Sequence, residues 1–330
     1  MLLSICIPTF NRPKSLNNCL NSIAKQNIKK NFEVCISDNC SKNDIKKIIK
    51  SYKNKFRIVY KRNKKNIGFA MNVLKVSEMA KGRFIWFLGD DDMIMENALG
   101  FLLKKISQHE NKVDFFWINS AYLTADYINK FPKPFDIKLA PKKMETHSKL
   151  KENKVLKFTD LIDHKICFDF LGGFYVNCFR REKWENNLDV LNLKNMRDMK
   201  IWSNLDNTFF FIKVFFKSFK NSKAYFCAKP LSINTIGTRE WGNFYPFVEI
   251  VLLPEILDYY RSQGLNFFQY IYCKNYSLRN FFNYFIKIAI NGKKMGSDYI
   301  NFKNHFFKNL IYPNAWLSII YFLMRKIRFN

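Results

Sequence analysis

Residues 83–92 read Arg-Phe-Ile-Trp-Phe-Leu-Gly-Asp-Asp-Asp, an apolar run that ends abruptly in three carboxylates. Phe84–Leu88 offers no polar residue at either alternate position. A strand of that kind must be covered on both faces, as in the interior of a parallel sheet. Three adjacent aspartates repel one another and raise one another's pKa unless a cation sits among them. Oxygen-only ligands select a hard ion, Mg²⁺ or Mn²⁺, of the kind that bridges to substrate phosphates. The competing reading is a solvated turn in which Asp92 caps the next helix. The buried strand directly before the run favours the metal.

Outward from this point, strand and helix alternate through the first 120 residues. Short apolar runs predict strands at Leu2–Ile7, Phe32–Ser37, Phe56–Tyr60, Arg83–Leu88 and Val113–Ile118. Between them, Leu16, Cys19, Leu20 and Ile23 recur at helical spacing. Ile45, Ile48, Ile49 and Tyr52 do the same behind a capping-box pair, Ser41 and Asp44. Residues 68–80 and 95–107 complete the set of helices. This alternation predicts an α/β fold with a mainly parallel sheet flanked by helices. In such a sheet ligands bind beyond the carboxyl ends of the strands. Pro8, Thr9, Asn11 and Arg12, then Asp38, then Asn66 and Gly68, then Asp90, Asp91 and Asp92 all fall at that edge.

The second half is less regular. Pro132, Pro134 and Pro141 among charged residues predict a loop or flap over 127–150. Leu171–Phe179 and Tyr225–Ile236 read as strands and 204–219 as a helix. Beyond residue 243, Val248, Leu252, Ile256 and Tyr259 keep a helical stripe. The expected organisation is therefore a ligand-binding half (1–120), a second half of the same α/β unit (121–242) and a mostly helical, aromatic and basic region (243–330).

Composition excludes several classes. Hydrophobic residues make up 48% and charged residues 25%, globular rather than disordered usage. The chain of 330 residues holds 55 Lys and Arg against 27 Asp and Glu, a net charge of +28. The excess is spread along the chain, with no basic arm for clamping nucleic acid, and compositional drift towards Lys explains it as well as a polyanionic partner does. Most aromatics lie in apolar stripes, and the aspartate run would repel a phosphate backbone, so no nucleic-acid partner is expected. The eight cysteines form no Cys-x-x-Cys pair and no Cys/His zinc spacing, which suits a reducing, cytoplasmic compartment. The four histidines show no ligand spacing and receive no role. The first residues lack a basic segment and a small-residue cleavage site, so no signal peptide is expected. No stretch approaches the ~20 apolar residues that span a bilayer.

The motifs Leu3-Ser-Ile-Cys-Ile-Pro-Thr-Phe-Asn-Arg-Pro13, Val34-Cys-Ile-Ser-Asp-Asn-Cys40, Asn66-Ile-Gly68 and Phe87-Leu-Gly-Asp-Asp-Asp92 resemble, in order and spacing, the family 2 glycosyltransferases of the GT-A fold. The resemblance is strong over residues 1–120 and looser over 121–240. It implies an inverting transfer of a sugar from a nucleotide-diphosphate-sugar donor to a hydroxyl of a glycan or lipid-linked glycan, in surface polysaccharide biosynthesis. It implies that Pro8, Thr9, Asn11, Arg12 and Asp38 hold the nucleotide, with Asn66, Gly68, Asp90 and Asp91 beside it. Asp91 and Asp92 would hold Mn²⁺ or Mg²⁺. Gly89 stands where many members carry a further Asp, which leaves open which pair meets the metal.

An inverting transfer needs a general base opposite the leaving group. By the family's pattern it is an acid near the start of a helix in the second half. Asp206 matches best, with Asp198 and Asp169 as alternatives. Gly172-Gly173-Phe174 resembles the family's acceptor-side strand, and Arg239 and Trp241 would close over the donor. A sugar nucleotidyltransferase is the alternative enzyme class, but it would want a Gly-rich loop after the first strand, and Pro8–Pro13 contains no glycine. At the far end, Ala315–Met324 is apolar almost all round and is followed by Arg325, Lys326 and Arg328. It is too short to span a bilayer. Its pattern predicts an interfacial helix placing the enzyme peripherally on the anionic cytoplasmic face of the inner membrane, with packing into the core as the competing reading.

Overall fold

The structure, a computed structural model, describes residues 1–200, 202–237 and 242–327. Five strands and four helices alternate first: β1 (Leu3–Thr9), α1 (Pro13–Ala24), β2 (Phe32–Asp38), α2 (Lys46–Tyr52), β3 (Ile58–Arg62), α3 (Phe69–Ser77), β4 (Phe84–Phe87), the two-residue β5 (Met93–Ile94) and α4 (Ala98–His109). Next come β6 (Phe115–Thr124), α5 (Ala125–Asn129), β7 (Lys154–Lys157), β8 (Asn177–Arg180) and α6 (Arg181–Glu185). The short α7 (Leu193–Met196) and α8 (Leu205–Thr208) lead into α9 (Phe210–Phe219) and the long β9 (Lys223–Ile236).

One sheet contains all nine strands, in the order β3-β2-β1-β4-β8-β6-β9-β5, with β7 also paired to β9. The neighbours β3, β2, β1 and β4 are mutually parallel, as the apolar runs predict. Strand β8 enters antiparallel between β4 and β6, so the second half of the chain completes the sheet begun by the first.

Alternation along the strands explains the layers. Leu3, Ile5 and Ile7 of β1, with Phe84 and Trp86 of β4, face a core built with Leu16 and Leu20 of α1 and Leu99 and Leu102 of α4. Cys6, Ile85 and Phe87 face the opposite core, with Val73 of α3 and Phe211 and Phe215 of α9. Cys6, Cys19 and Cys35 are small core residues.

Several local expectations are corrected. Leu171–Phe179 is not one strand. Phe170 and Leu171 take left-handed backbone (φ 53° and 72°), and only Asn177–Arg180 pairs in the sheet. The helix predicted over 204–219 breaks at Phe209, whose backbone (φ −120°, ψ 29°) leaves the helical region. Ser41 and Asp44 form no capping box, because Ile45 occupies the cap position and Ser41 Oγ accepts a hydrogen bond from the Asn11 N–H. The 127–150 segment is largely irregular, as expected of a loop, and it is anchored. Phe135 is buried beside Met93 and Leu123, and its N–H donates to Asn18 Oδ1 at 2.8 Å.

The C-terminal region is helical and shares the second core. Tyr260 stacks on Phe216 of α9 with ring centres 4.9 Å apart. Among the described residues, no helix is long and apolar enough to cross a membrane. Among the described side chains of the last helix, Pro313–Ile327, Ala315 and Ser318 are buried and Trp316, Leu317, Ile320 and Leu323 are exposed.

Candidate active site

The parallel order brings the ends of β1, β2, β3 and β4 to one edge, and the predicted residues meet there through named contacts. Thr9, the last residue of β1, donates from Oγ1 to Asp90 Oδ2 at 2.7 Å. Arg12, just ahead of α1, places Nη1 3.1 Å from Asp91 Oδ2 and 3.6 Å from Asp90 Oδ1. Asp90 is buried next to Asp91, and that burial with the neighbouring charge pushes its carboxyl up to about 7, against the opposing pull of Arg12 and Thr9. At neutral pH the Asp90 carboxyl is therefore poised between its protonated and ionised forms.

Asp92 is 1% exposed. Its Oδ1 accepts from Asn234 Nδ2 of β9 at 2.8 Å, and its Oδ2 accepts from the Gly89 N–H at 3.1 Å. A Cβ at Gly89 would lie 2.7 Å from Asp92 Oδ2 and 2.9 Å from Asp91 Oδ1, so a side chain there would have to shift both carboxylate ends.

The rest of the rim is scaffolded by polar side chains. Asp38 Oδ1 accepts from the Ser41 N–H at 2.8 Å, and Oδ2 accepts from Tyr60 Oη at 3.1 Å and pairs with Arg62 Nε at 3.4 Å. The Tyr60 hydroxyl is pushed up to about 12 by its partial burial and by that carboxylate. Asn66 Oδ1 accepts from Asn39 Nδ2 (2.7 Å) and from the Gly68 N–H (3.0 Å), so it shapes the loop. Gly68 takes φ 84°, a left-handed conformation that favours glycine, and Met199 Sδ would lie 3.3 Å from a Cβ there. Asn11, at φ 56°, accepts from the Lys42 N–H at 2.7 Å. Pro8 is buried within β1 opposite Ser37.

In the second half of the chain, α8 packs on α3 and carries Asp206. Its carboxylate is 5% exposed and bound by Lys213 Nζ at 3.0 and 2.9 Å, with Asn195 Nδ2 at 3.4 Å. Asp198 lies outside this arrangement, held in its own loop by Ser203 Oγ at 2.7 Å and the Lys200 N–H at 2.9 Å. Those donors lower its pKa. Asp169 sits in a separate cluster with His147 and Cys167. Arg239 and Trp241 lie outside the described residues.

Sequence reasoning missed Asn234, Lys213 and Asn195. Asn234 carried the one usable signal, a polar side chain inside an otherwise apolar strand, but its partner lies 142 residues away.

This sheet order with an aspartate cluster at its carboxyl edge is the architecture of the GT-A glycosyltransferases. Residues 4–164 match the glycosyl transferase family 2, and that part of the chain belongs to the family. The chain is 39% identical over 105 residues to the abequosyltransferase RfbV of Salmonella typhimurium, a match covering 31% of this chain and 32% of that protein. An uncharacterized glycosyltransferase of Haemophilus influenzae is 26% identical over 306 residues, covering 89% of this chain and 100% of that one. The crystal structure of residues 1–349 of TarS from S. aureus superposes with a TM-score of 0.59 at 18% identity, over 90% of this chain and 77% of that one. That likeness establishes the fold. The sequence matches to RfbV and to full-length TarS span about a third and a fifth of those proteins.

Proposed function

We propose that the protein is an inverting glycosyltransferase that moves a sugar from a nucleoside-diphosphate donor to a hydroxyl of a glycan or lipid-linked glycan in surface polysaccharide assembly. The observation that carries this reading is the convergence of Thr9, Arg12, Asp90, Asp91 and Asp92 from two strand ends onto one rim. Relatives support the chemistry. RfbV is named an abequosyltransferase, TarS has been crystallised with UDP and with UDP-GlcNAc, and a Campylobacter jejuni relative is named a glucosyltransferase for an undecaprenol-linked substrate.

The rim fits a hard divalent cation. Asp91 and Asp92 each present an oxygen over Gly89, and Asp90 beside them is pushed up by its burial and by the Asp91 charge, so a cation would favour its ionised form. Asp91 and Asp92 would hold Mn²⁺ or Mg²⁺, which would neutralise charge developing on the diphosphate leaving group. Arg12 orients Asp90 and Asp91, and Asp206 takes the acceptor proton from the opposite side. Thermal-shift measurements with UDP, GDP, CDP and dTDP, each with and without Mn²⁺, test this. One nucleotide should raise Tm, and more so with Mn²⁺. No response to any of the four would overturn the donor assignment.

Asp90 gives the reading a pH signature. Its folded pKa lies above the unfolded value, so the stability it contributes is present at acid pH and lost as pH rises through about 7. A cation at the rim favours the ionised carboxylate. We expect Mn²⁺-dependent nucleotide binding to strengthen from pH 6 to pH 8 with release of a proton, measurable by calorimetry in buffers of different ionisation enthalpy. In Asp90→Asn that dependence should disappear.

The C-terminal surface supports placement on a membrane. Phe268, Ile290 and Ile311 are 79%, 78% and 77% exposed, and Phe302 and Phe307 project beside Lys303 and Lys308. With Leu317, Ile320 and Leu323 of the last helix, they suit the headgroup region of an anionic leaflet. Full-length protein should cosediment with phosphatidylserine-containing liposomes at low salt. Leu317→Ser/Ile320→Ser/Leu323→Ser should weaken this, because it alters only exposed positions. Equal binding by the triple variant would place the last helix away from the bilayer.

A further inference from the structure

Away from the aspartate rim, three side chains meet in the second half of the fold. Asp169 Oδ1 lies 2.9 Å from Cys167 Sγ and 3.4 Å from His147 Nε2, and the sulfur and nitrogen are 3.9 Å apart. Among the described residues, this is the one group of three His, Cys, Asp or Glu whose ligand atoms all lie within 4.8 Å of one another. A tetrahedral zinc ion, with bonds of ~2.3 Å to sulfur and ~2.0–2.2 Å to nitrogen and oxygen, sets its ligands roughly 3.3–3.6 Å apart. The three observed separations straddle that range.

The surroundings are those of a ligand shell. Tyr122 Oη sits 2.8 Å from His147 Nδ1. When Nδ1 donates to it, Nε2 is left with its lone pair towards Asp169 and Cys167. Burial and the Asp169 charge push the Cys167 thiol up, and Trp117 Nε1–H and the Leu171 N–H, which point at Sγ from 3.3 and 3.2 Å, partly offset this and would support a thiolate once a cation is bound. Asp169 is 15% exposed. Burial works against its charge, but His147 and Cys167 beside it hold its carboxyl below the usual carboxylate range, so an ionised oxygen faces the two other side chains. Gly173 permits the crowding, since a Cβ there would lie 2.8 Å from Asp169 Oδ2.

We propose that His147 Nε2, Cys167 Sγ and Asp169 Oδ1 bind one zinc-class divalent ion, with water as the fourth donor. Binding displaces the thiol proton that now bridges Cys167 to Asp169 and releases it to solvent. The thiolate and imidazole select zinc over the Mg²⁺ or Mn²⁺ suited to the oxygen-only rim, so the two sites differ in chemistry. The ion would clasp the segment that returns along β6, where the His147 N–H donates to Ser120 O, to the loop that leads into β8. This proposal is independent of the transfer reaction.

Metal analysis of the full-length protein, purified from zinc-supplemented culture and dialysed, tests it. About one zinc per chain is expected, and Cys167→Ser or Asp169→Asn should lower zinc affinity at least ~10-fold. Asp92→Asn and His305→Ala should retain the metal, which separates this site from the rim and from the His305–Glu255 pair. If the ligand variants fail to fold, cobalt(II) loading of the unaltered protein serves instead, since tetrahedral thiolate ligation produces intense visible and near-ultraviolet bands that zinc then abolishes. Unchanged zinc content in a folded Cys167→Ser/His147→Ala variant would overturn the proposal. So would unaltered protein that takes up neither zinc nor cobalt.

Discussion

Asp92→Asn is expected to lower kcat/KM at least ~100-fold, the scale of losing a metal's several kcal/mol of charge stabilisation. The structure sharpens what that variant does. Asp92 accepts from two donors, Asn234 Nδ2 and the Gly89 N–H. An asparagine amide can satisfy only one of them and turns its own N–H₂ towards the other, so the loop is disturbed along with the charge. EDTA separates the two effects. Activity of the unaltered enzyme should vanish in EDTA and return with Mn²⁺ or Mg²⁺. Full activity after exhaustive dialysis against EDTA would reduce Asp92 to a structural hydrogen-bond acceptor.

The second large effect is expected at Asp206. Asp206→Asn should lower kcat by ~10²–10⁴ and leave donor affinity nearly unchanged, because a general base acts only as the proton moves. Donor affinity must be measured directly, since KM equals a dissociation constant only when chemistry is slow. The variant also leaves Lys213, bound to both carboxylate oxygens at 3.0 and 2.9 Å, without its counter-charge. A thermal melt therefore accompanies the kinetics. Normal turnover by Asp206→Asn, with loss in Asp198→Asn or Asp169→Asn, would move the base elsewhere. All three carboxylates are engaged, Asp206 by Lys213 and Asn195, Asp198 by its own loop, and Asp169 by His147 and Cys167, so the kinetics of the three variants decide between them.

Much of the rim was legible because its information is local. A strand covered on both faces must be apolar throughout, so Phe84–Leu88 announces itself, and residues that follow such strands in a parallel sheet must reach one edge. That pattern places Thr9, Arg12 and Asp90–Asp92 together from the sequence alone. Their individual tasks were less legible. Asn66 and Asp38 were expected to hold ligand, and the structure shows both bound to neighbouring loop groups, with any contact to nucleotide additional to those bonds. Irregular backbone escaped as well. The left-handed Phe170 and Leu171 interrupt an apolar run that by composition alone reads as strand.

The sequence by itself determined the parallel part of the sheet, its flanking helices and the acidic edge, because hydrophobic period and strand ends are properties of neighbouring residues. Only the tertiary structure decided that β8 enters antiparallel between β4 and β6, that Asn234 reaches Asp92, and that Lys213 closes on Asp206 across a turn and a helix. The same holds for His147, Cys167 and Asp169, whose spacing along the chain matches no ligand motif. The physical reason is common to all of these. Each depends on how whole elements pack, and packing leaves no periodic trace in the residues that happen to touch.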